Sequence, residues 1–266
     1  MKAQTRHSKI DAEYHNATAP QYEAVVNEPR RIANDLLFRP LLKEINSPIE
    51  SILDLGCGTG QMVERLAHWF DPADITAVDH SFGMIDVAKV KVSQLRLTNV
   101  HFVVDDLAEF VNTTSRQFDL ISCVGVLHHL KRTTCETLVQ RCSDLLKPGG
   151  WLLIAEPVTR PTLYDFPALV EKWNRRSVLA NKAIISELPE PDEAPLPDGF
   201  INEQLLTAGF EVIKELAGIE VFPRNLPPSL VDRLFIWAAS HIYQKSGFIV
   251  AILARPNQLD RHDSGN

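Results

Sequence analysis

The sequence predicts an α/β fold in which a parallel sheet is covered by helices on both faces. Between about residues 50 and 155, short apolar runs alternate with longer amphipathic stretches, the pattern of repeated β-α-β units. The runs are continuous in Val, Ile and Leu, as strands are when both faces of a sheet are buried. The first of them leads into a glycine-rich turn, Asp54-Leu55-Gly56-Cys57-Gly58-Thr59-Gly60, which lies between a predicted strand and a predicted helix.

Asp11 to Ile45 reads as one or two helices broken near Pro20, Pro29 and Pro40, able to pack as a lid at the sheet edge. Strands are predicted at Ser51–Leu55, Ile75–Asp79, His101–Asp105, Phe118–Cys123 and Trp151–Ala155, with helices at Gln61–Phe70, Phe82–Gln94 and Cys135–Leu146. Lys147-Pro148-Gly149-Gly150 closes the last of these, because the proline cannot continue a helix and the glycines turn the chain. Tyr164–Glu187 has helical spacing with Phe166, Leu169, Val170 and Trp173 on one face. Leu188–Gly199 holds four prolines among acids and is expected to stay a loop outside any sheet or helix. A helix at Phe200–Ala208 ends at Gly209, a strand follows at Phe210–Glu215 and extends towards Phe222, and a helix at Ser229–Gln244 precedes a last strand at Phe248–Ala254. Arg255–Asn266 is polar and expected to fray.

The chain has 266 residues, 45% hydrophobic and 23% charged, as ordinary globular proteins have. Its 27 basic and 34 acidic residues leave a formal charge of -7, which argues against a polyanionic partner such as DNA, with RNA disfavoured on the same ground. A polar N-terminus and the lack of a long apolar run predict a cytoplasmic protein with no membrane partner. The four cysteines (Cys57, Cys123, Cys135, Cys142) contain no C-x-x-C pair, so neither a disulfide framework nor a metal site is expected; Cys57 and Cys123 are placed at the lining of a site.

The chemistry gathers at strand ends. A dinucleotide turn is G-x-G-x-x-G, but its third glycine would fall here at Gln61. The turn reads G-x-G-x-G instead, with Asp54 just upstream, and suits a ligand without phosphate. Asp79 ends the second predicted strand, where a carboxylate can accept both hydroxyls of a ribose or cap the next helix with Ser81. Asp105-Asp106-Leu107 follows the third, where an acid can accept from an adenine amine and an apolar side chain can cover its ring. The fourth leads into Val126-Leu127-His128-His129-Leu130.

This ordered set resembles the class I S-adenosylmethionine-dependent methyltransferases, in particular the ubiquinone-biosynthesis-like small-molecule branch. The likeness covers about residues 50 to 155. It implies a Rossmann-like seven-stranded sheet in the order 3-2-1-4-5-7-6, with strand seven antiparallel. The organisation expected is a helical lid (1–48), a cofactor-binding core (49–157), an inserted helical cap (158–199), the C-terminal part of the sheet (200–256) and a flexible tail (257–266). The resemblance further implies that Gly56, Cys57, Gly58 and Gly60 shape the turn around the methionine part of S-adenosylmethionine, with Asp54 organising it. Asp79 would bind the ribose, His80 and Met84 would lie near the adenine, and Asp106 with Leu107 would hold its amine and ring. Cys123, Val124 and His129 would border the methyl group. Ala19-Pro20-Gln21-Tyr22-Glu23 resembles the family's A-x-x-Y-D segment, with Glu23 for the usual Asp, and brings Tyr22 to the cofactor and Tyr14 to the same lid.

Methyl transfer from a sulfonium is an in-line displacement that needs no metal, and positioning supplies much of its rate. A neutral acceptor must lose a proton, and the bases within reach are His129 first, then His128 and Glu156. Tyr164, Phe166, Trp173 and Trp237 are expected to roof a small acceptor. No N-P-P-Y tetrad follows the fourth strand, which again speaks against DNA. The competing readings are a tRNA or protein methyltransferase and a non-catalytic S-adenosylmethionine-binding module. Monomer and homodimer are both compatible with the sequence.

Overall fold

The first strand, β1 (Ser51–Leu55), is buried along its whole length, and its neighbours must therefore bring apolar side chains to both faces. In the computed structural model, which describes residues 6–159, 170, 172–173, 195–219, 223, 227–242 and 249–257, they do. β2 (Asp74–Asp79), β3 (Val100–Val104), β4 (Phe118–Val124) and β5 (Leu146–Thr159) pair in parallel around β1. β8 (Ile249–Pro256) lies antiparallel between β5 and β7 (Phe210–Gly218), giving the order β3-β2-β1-β4-β5-β8-β7. The expected order is the observed one once an extra strand, β6 (Leu196–Pro197), is counted.

That extra strand is a correction, since the proline-rich segment was expected to avoid any sheet. β6 pairs only with Val158 and Thr159 at the end of β5, and a strand paired on one side tolerates a proline because the missing N–H faces away from the pair. A second correction concerns β5, which begins at Leu146 opposite Phe118. The Lys147–Gly150 turn becomes a bulge before Trp151 rejoins Leu120, and Gly149, with φ of 77°, takes the left-handed conformation it needs.

The helices bury one stripe each. α3 (Gln61–Trp69) buries Met62, Val63, Leu66 and Ala67, and α4 (Phe82–Gln94) buries Met84, Ile85, Ala88 and Val92. α6 (Arg132–Leu145) sets Cys135, Leu138, Val139, Cys142 and Leu145 against the opposite face. A short helix, α5 (Leu107–Thr113), was not foreseen; Asp106 caps it by accepting from the N–H groups of Ala108 and Glu109. α7 (Phe200–Thr207) and α8 (Leu230–Ile242) complete the described helices. Strand alternation then sorts the core: Leu53, Leu55, Ile121 and Ile154 face α6, whereas Ile52, Ile75, Leu120 and Leu153 face the α3 side.

At the N-terminus, α1 (Arg6–Tyr22) runs through Pro20, a π-helical turn follows at Glu23–Asn27, and α2 (Glu28–Leu42) continues. The break expected at Pro20 is this turn. Pro29 sits in the first turn of α2, where its N–H is not needed, and Pro40 lies so near the end that no break follows. α1 docks on α4 through Asn16, whose Oδ1 accepts from Ser81 Oγ and from Gly83 N. Most of Tyr164–Glu187, with Tyr164 and Phe166, lies outside the described residues, as do residues 188–194 and 220–222. Among the described residues no helix is long and apolar enough to cross a membrane.

Candidate active site

Parallel strands leave a crevice beyond their carboxyl ends where the order reverses, here between β1 and β4. Asp54 and Ser122 are register partners at that point. The glycine turn above them has three left-handed residues, Gly56 (φ 70°), Gly58 (φ 50°) and Gly60 (φ 81°), which is why glycine recurs at every second position. A Cβ on Gly56 would lie 2.3 Å from Val126 Cγ2, whereas one on Gly58 would meet nothing within 4 Å. Gly58 is thus the point at which a ligand can approach bare backbone. Gly60 is turned to α4, and its role is helix packing against Ala88.

The turn is fixed from below and from the side. Val78 O accepts from the N–H groups of Gly56 and Cys57, and Asp79 accepts from Gly58 N (2.8 Å) and Ser81 N (2.9 Å). Thr59 Oγ1 donates to Glu23 Oε2 at 2.7 Å and accepts from Asn27 Nδ2 at 2.7 Å, while Lys91 binds Glu23 Oε1 at 2.8 Å. Burial opposes ionisation of Glu23, but Lys91 and Thr59 outweigh it and hold its carboxyl below the usual range. Gln61, the residue that replaces the third glycine, donates to Asn27 O and accepts from Asn34.

Asp54 is 1% exposed. Ser122 Oγ donates to its Oδ1, and its Oδ2 is buried without a hydrogen-bond partner. Burial pushes the carboxyl up to about 7, with Ser122 opposing and the nearby Asp79 adding to the rise. Glu156, fully buried at the end of β5, accepts from Val126 N and Leu127 N at 2.8 Å each, and its Oε2 takes His128 Nδ1 at 2.7 Å. It therefore fixes the 3-10 turn Leu127–His129 and orients His128.

The sequence reading missed Asp11 and His15. Asp11, 4% exposed, projects from α1 into a ring of imidazoles: His129 Nδ1 and His15 Nδ1 lie 3.1 and 3.4 Å from its Oδ1, and His80 Nε2 lies 3.1 Å from its Oδ2. Burial disfavours its charge, yet the hydrogen bonds from His129, His15 and His80 win and hold the carboxyl far below its ordinary range. The signal available was the Asp11–His15 pair at i, i+4 on a helix.

These groups line one cavity of about 1030 Å³. On its wall stand Tyr14, Tyr22, Asp54, Gly56, Cys57, Gly58, Asp79, His80, Met84, Leu107, Val124, His128, His129 and Glu156. Gly60, Asp106, Cys123, Trp173 and Trp237 are not on it. Cys123 is buried in the apolar cluster beneath α6, its thiol pushed well up by burial, and Asp106 is turned to its helix. Trp173 stacks on Phe235 with centroids 3.8 Å apart, and Trp237 is 53% exposed beside His241. Apolar side chains line the same cavity, among them Ala33, Leu36, Leu37, Leu216, Ile219 and Ile249.

The parallel sheet, with β8 inserted antiparallel, carries the glycine turn after β1 and the acids Asp54 and Asp79 towards the ends of β1 and β2. Residues 52–150 match the family described as "Methyltransferase domain". Over 128 residues the chain is 31% identical to a ubiquinone biosynthesis O-methyltransferase of Coxiella burnetii (strain Dugway 5J108-111), a match covering 48% of this chain and 52% of that one. The chain thus spans about half the length of the curated relatives it matches. Magnesium protoporphyrin IX methyltransferase from Synechocystis PCC 6803, solved with bound SAH, shares the fold at 15% identity with a TM-score of 0.61, over 94% of this chain and all of that one. So does the 4+2 cyclase SpnF, at 18% identity and a TM-score of 0.61, over 96% and 97% of the two chains.

Proposed function

We propose that this chain transfers a methyl group from S-adenosylmethionine to a small-molecule acceptor by direct in-line displacement. The observation that carries the reading is the Oδ2 of Asp54, buried without a partner on the wall of a cavity and beside the open backbone of Gly58. A buried acid in that condition calls for a cationic or donor group from a ligand. S-adenosylmethionine brings an ammonium and a sulfonium and no phosphate, and when bound it supplies an electrophilic methyl group. The residues fit it.

The chain binds and orients. The backbone of Gly56, Cys57 and Gly58 takes the methionine part, and Asp54 takes the amino group. Asp79 keeps lone pairs beyond its two backbone bonds for the ribose hydroxyls. His80, Met84 and Leu107 bound the adenine, and Tyr22 closes from α1. Val124, Tyr14 and the apolar lining residues are left for the acceptor. Pockets for one drug-sized ligand measure roughly 300–1,000 Å³. The cavity lies at the top of that range, which favours two ligands over one.

His128 is the base of this proposal ahead of His129, because its Nδ1 contact with Glu156 (2.7 Å) is shorter than that of His129 Nδ1 with Asp11 (3.1 Å). Glu156 itself is committed to four backbone and side-chain donors and serves as the orienting group. Relatives named O-methyltransferases support oxygen as the acceptor atom. The shared fold with a cyclase favours a second reading, cofactor binding without methyl transfer. Calorimetry with S-adenosylmethionine, S-adenosylhomocysteine and NAD tests the cofactor, and release of S-adenosylhomocysteine across a panel of phenols and hydroxy acids tests turnover. Binding of NAD but not S-adenosylmethionine sinks the proposal; cofactor binding with no turnover across the panel leaves only the second reading.

A further inference from the structure

Four imidazoles and a buried carboxylate meet where α1 crosses the ends of β2 and β4, and methyl transfer needs only part of them. The Oδ1 of Asp11 faces His129 Nδ1 at 3.1 Å and His15 Nδ1 at 3.4 Å, and the ligand atoms of the three residues all lie within 4.8 Å of one another. Two ligands on one transition metal, each about 2.0–2.1 Å from it at angles between octahedral and tetrahedral, stand roughly 2.9–3.4 Å apart. The Asp11 contacts match this spacing. Asp11 and His15 are one helical turn apart on α1, as paired metal ligands on helices are. His129 arrives from the 3-10 turn after β4, 118 residues away, and only the docking of α1 completes the set.

We propose that Asp11, His15 and His129 form a two-histidine, one-carboxylate site for a divalent transition metal, with its remaining positions open to the cavity that all three residues line. Two imidazoles select zinc, cobalt, nickel or iron over magnesium and calcium, which take oxygen ligands. The second oxygen of Asp11 lies 3.1 Å from His80 Nε2, placing an imidazole where the outer contact of a ligating carboxylate ordinarily stands. His15 Nδ1 also lies 3.0 Å from Asp11 O, so metal entry displaces the proton of that bond and is accompanied by proton release. The open positions take an oxygen of a small acceptor. The metal site itself stands without the methyltransferase reading.

The test is a metal titration of the full chain, stripped with chelator, using zinc and cobalt chlorides in turn, with far-ultraviolet circular dichroism as the check on folding and S-adenosylhomocysteine binding read alongside. One equivalent of cobalt is expected, with visible d–d absorption of nitrogen and oxygen ligation. Asp11→Asn and His129→Gln should each weaken zinc binding by at least 100-fold, and His80→Asn by about 10–100-fold. His15→Gln serves as a second ligand variant should Asp11→Asn fail to fold. Magnesium at millimolar concentration should not compete. Absence of stoichiometric cobalt binding, a near-ultraviolet thiolate band from cysteine ligation, or unchanged zinc affinity in folded His15→Gln and His129→Gln would each overturn the proposal. Because S-adenosylhomocysteine is read on the same samples, loss of the metal site and loss of the cofactor site are told apart.

Discussion

Asp54 carries a cost at the residue scale that a ligand can relieve. Its folded pKa, about 7, lies above the ordinary carboxylate value, so the folded state holds a proton that the unfolded chain has released. This group's contribution to stability is therefore largest at low pH and is lost as pH rises from about 4 to 7. A cationic ligand prefers the ionised form, and S-adenosylmethionine affinity should rise with pH and level off above about 7. Asp54→Asn should flatten that dependence and weaken binding by roughly tenfold or more, since a charge-assisted contact is worth about 1.5–3 kcal/mol; calorimetry between pH 5.5 and 8.5 checks both. His128→Ala should lower kcat for the acceptor reaction by about 10²–10⁴-fold while leaving cofactor affinity near wild type. Equal losses in both would assign His128 to structure.

Elements place these residues, and substitutions there should act through position. Gly83 lies in the first turn of α4, where alanine would ordinarily favour a helix by up to about 1 kcal/mol. Here a Cβ would stand 3.0 Å from Asn16 Cα and Asn16 O. Gly83→Ala should thus push α1 from α4 and lower cofactor affinity, against its helix propensity; hydrogen exchange in α1 reads the loosening directly. Leu127 is fully buried and anchors the turn that bears both histidines. Leu127→Ala should cost about 2–5 kcal/mol in urea unfolding and reduce turnover as well. Glu23 joins α4 to the glycine turn through Lys91 and Thr59. Its carboxyl is held below the ordinary range, so its share of stability is present above about pH 4.5 and lost as pH falls through its lowered folded value.

Because α1, the glycine turn, β4 and β5 all border one cavity, a ligand bound there should stabilise the whole molecule. At 100 times its Kd, S-adenosylhomocysteine should stabilise the fold by about 2.7 kcal/mol, which raises Tm by roughly 5–10 °C for a chain of this size. NAD at the same concentration should leave Tm unchanged in a thermal-shift measurement. The fold is shared with both a methyltransferase and a cyclase, so its reaction is decided by the residues on the wall rather than by the sheet.

What the sequence by itself determined is the core. Strand periodicity and continuous apolar runs dictate β1 to β5, and the G-x-G-x-G spacing encodes three left-handed residues, because these are local properties that a chain expresses wherever it folds. Most of the residues expected at the cofactor stand on one wall for the same reason: they sit at the ends of strands whose register is set by burial. The exceptions are instructive. Asp106 and Gly60 satisfy local demands, a helix cap and a packing contact. Cys123 falls on the other side of β4 from Ser122, since alternate residues of a strand face opposite ways. Only the tertiary structure decided that Asp11 meets His15, His80 and His129, and that Glu156 orients His128 instead of acting alone. Apart from Asp11–His15, one helical turn apart on α1, those pairings join residues up to 118 positions apart and no local pattern carries them: they exist because α1 docks on α4 and β5 lies beside β4.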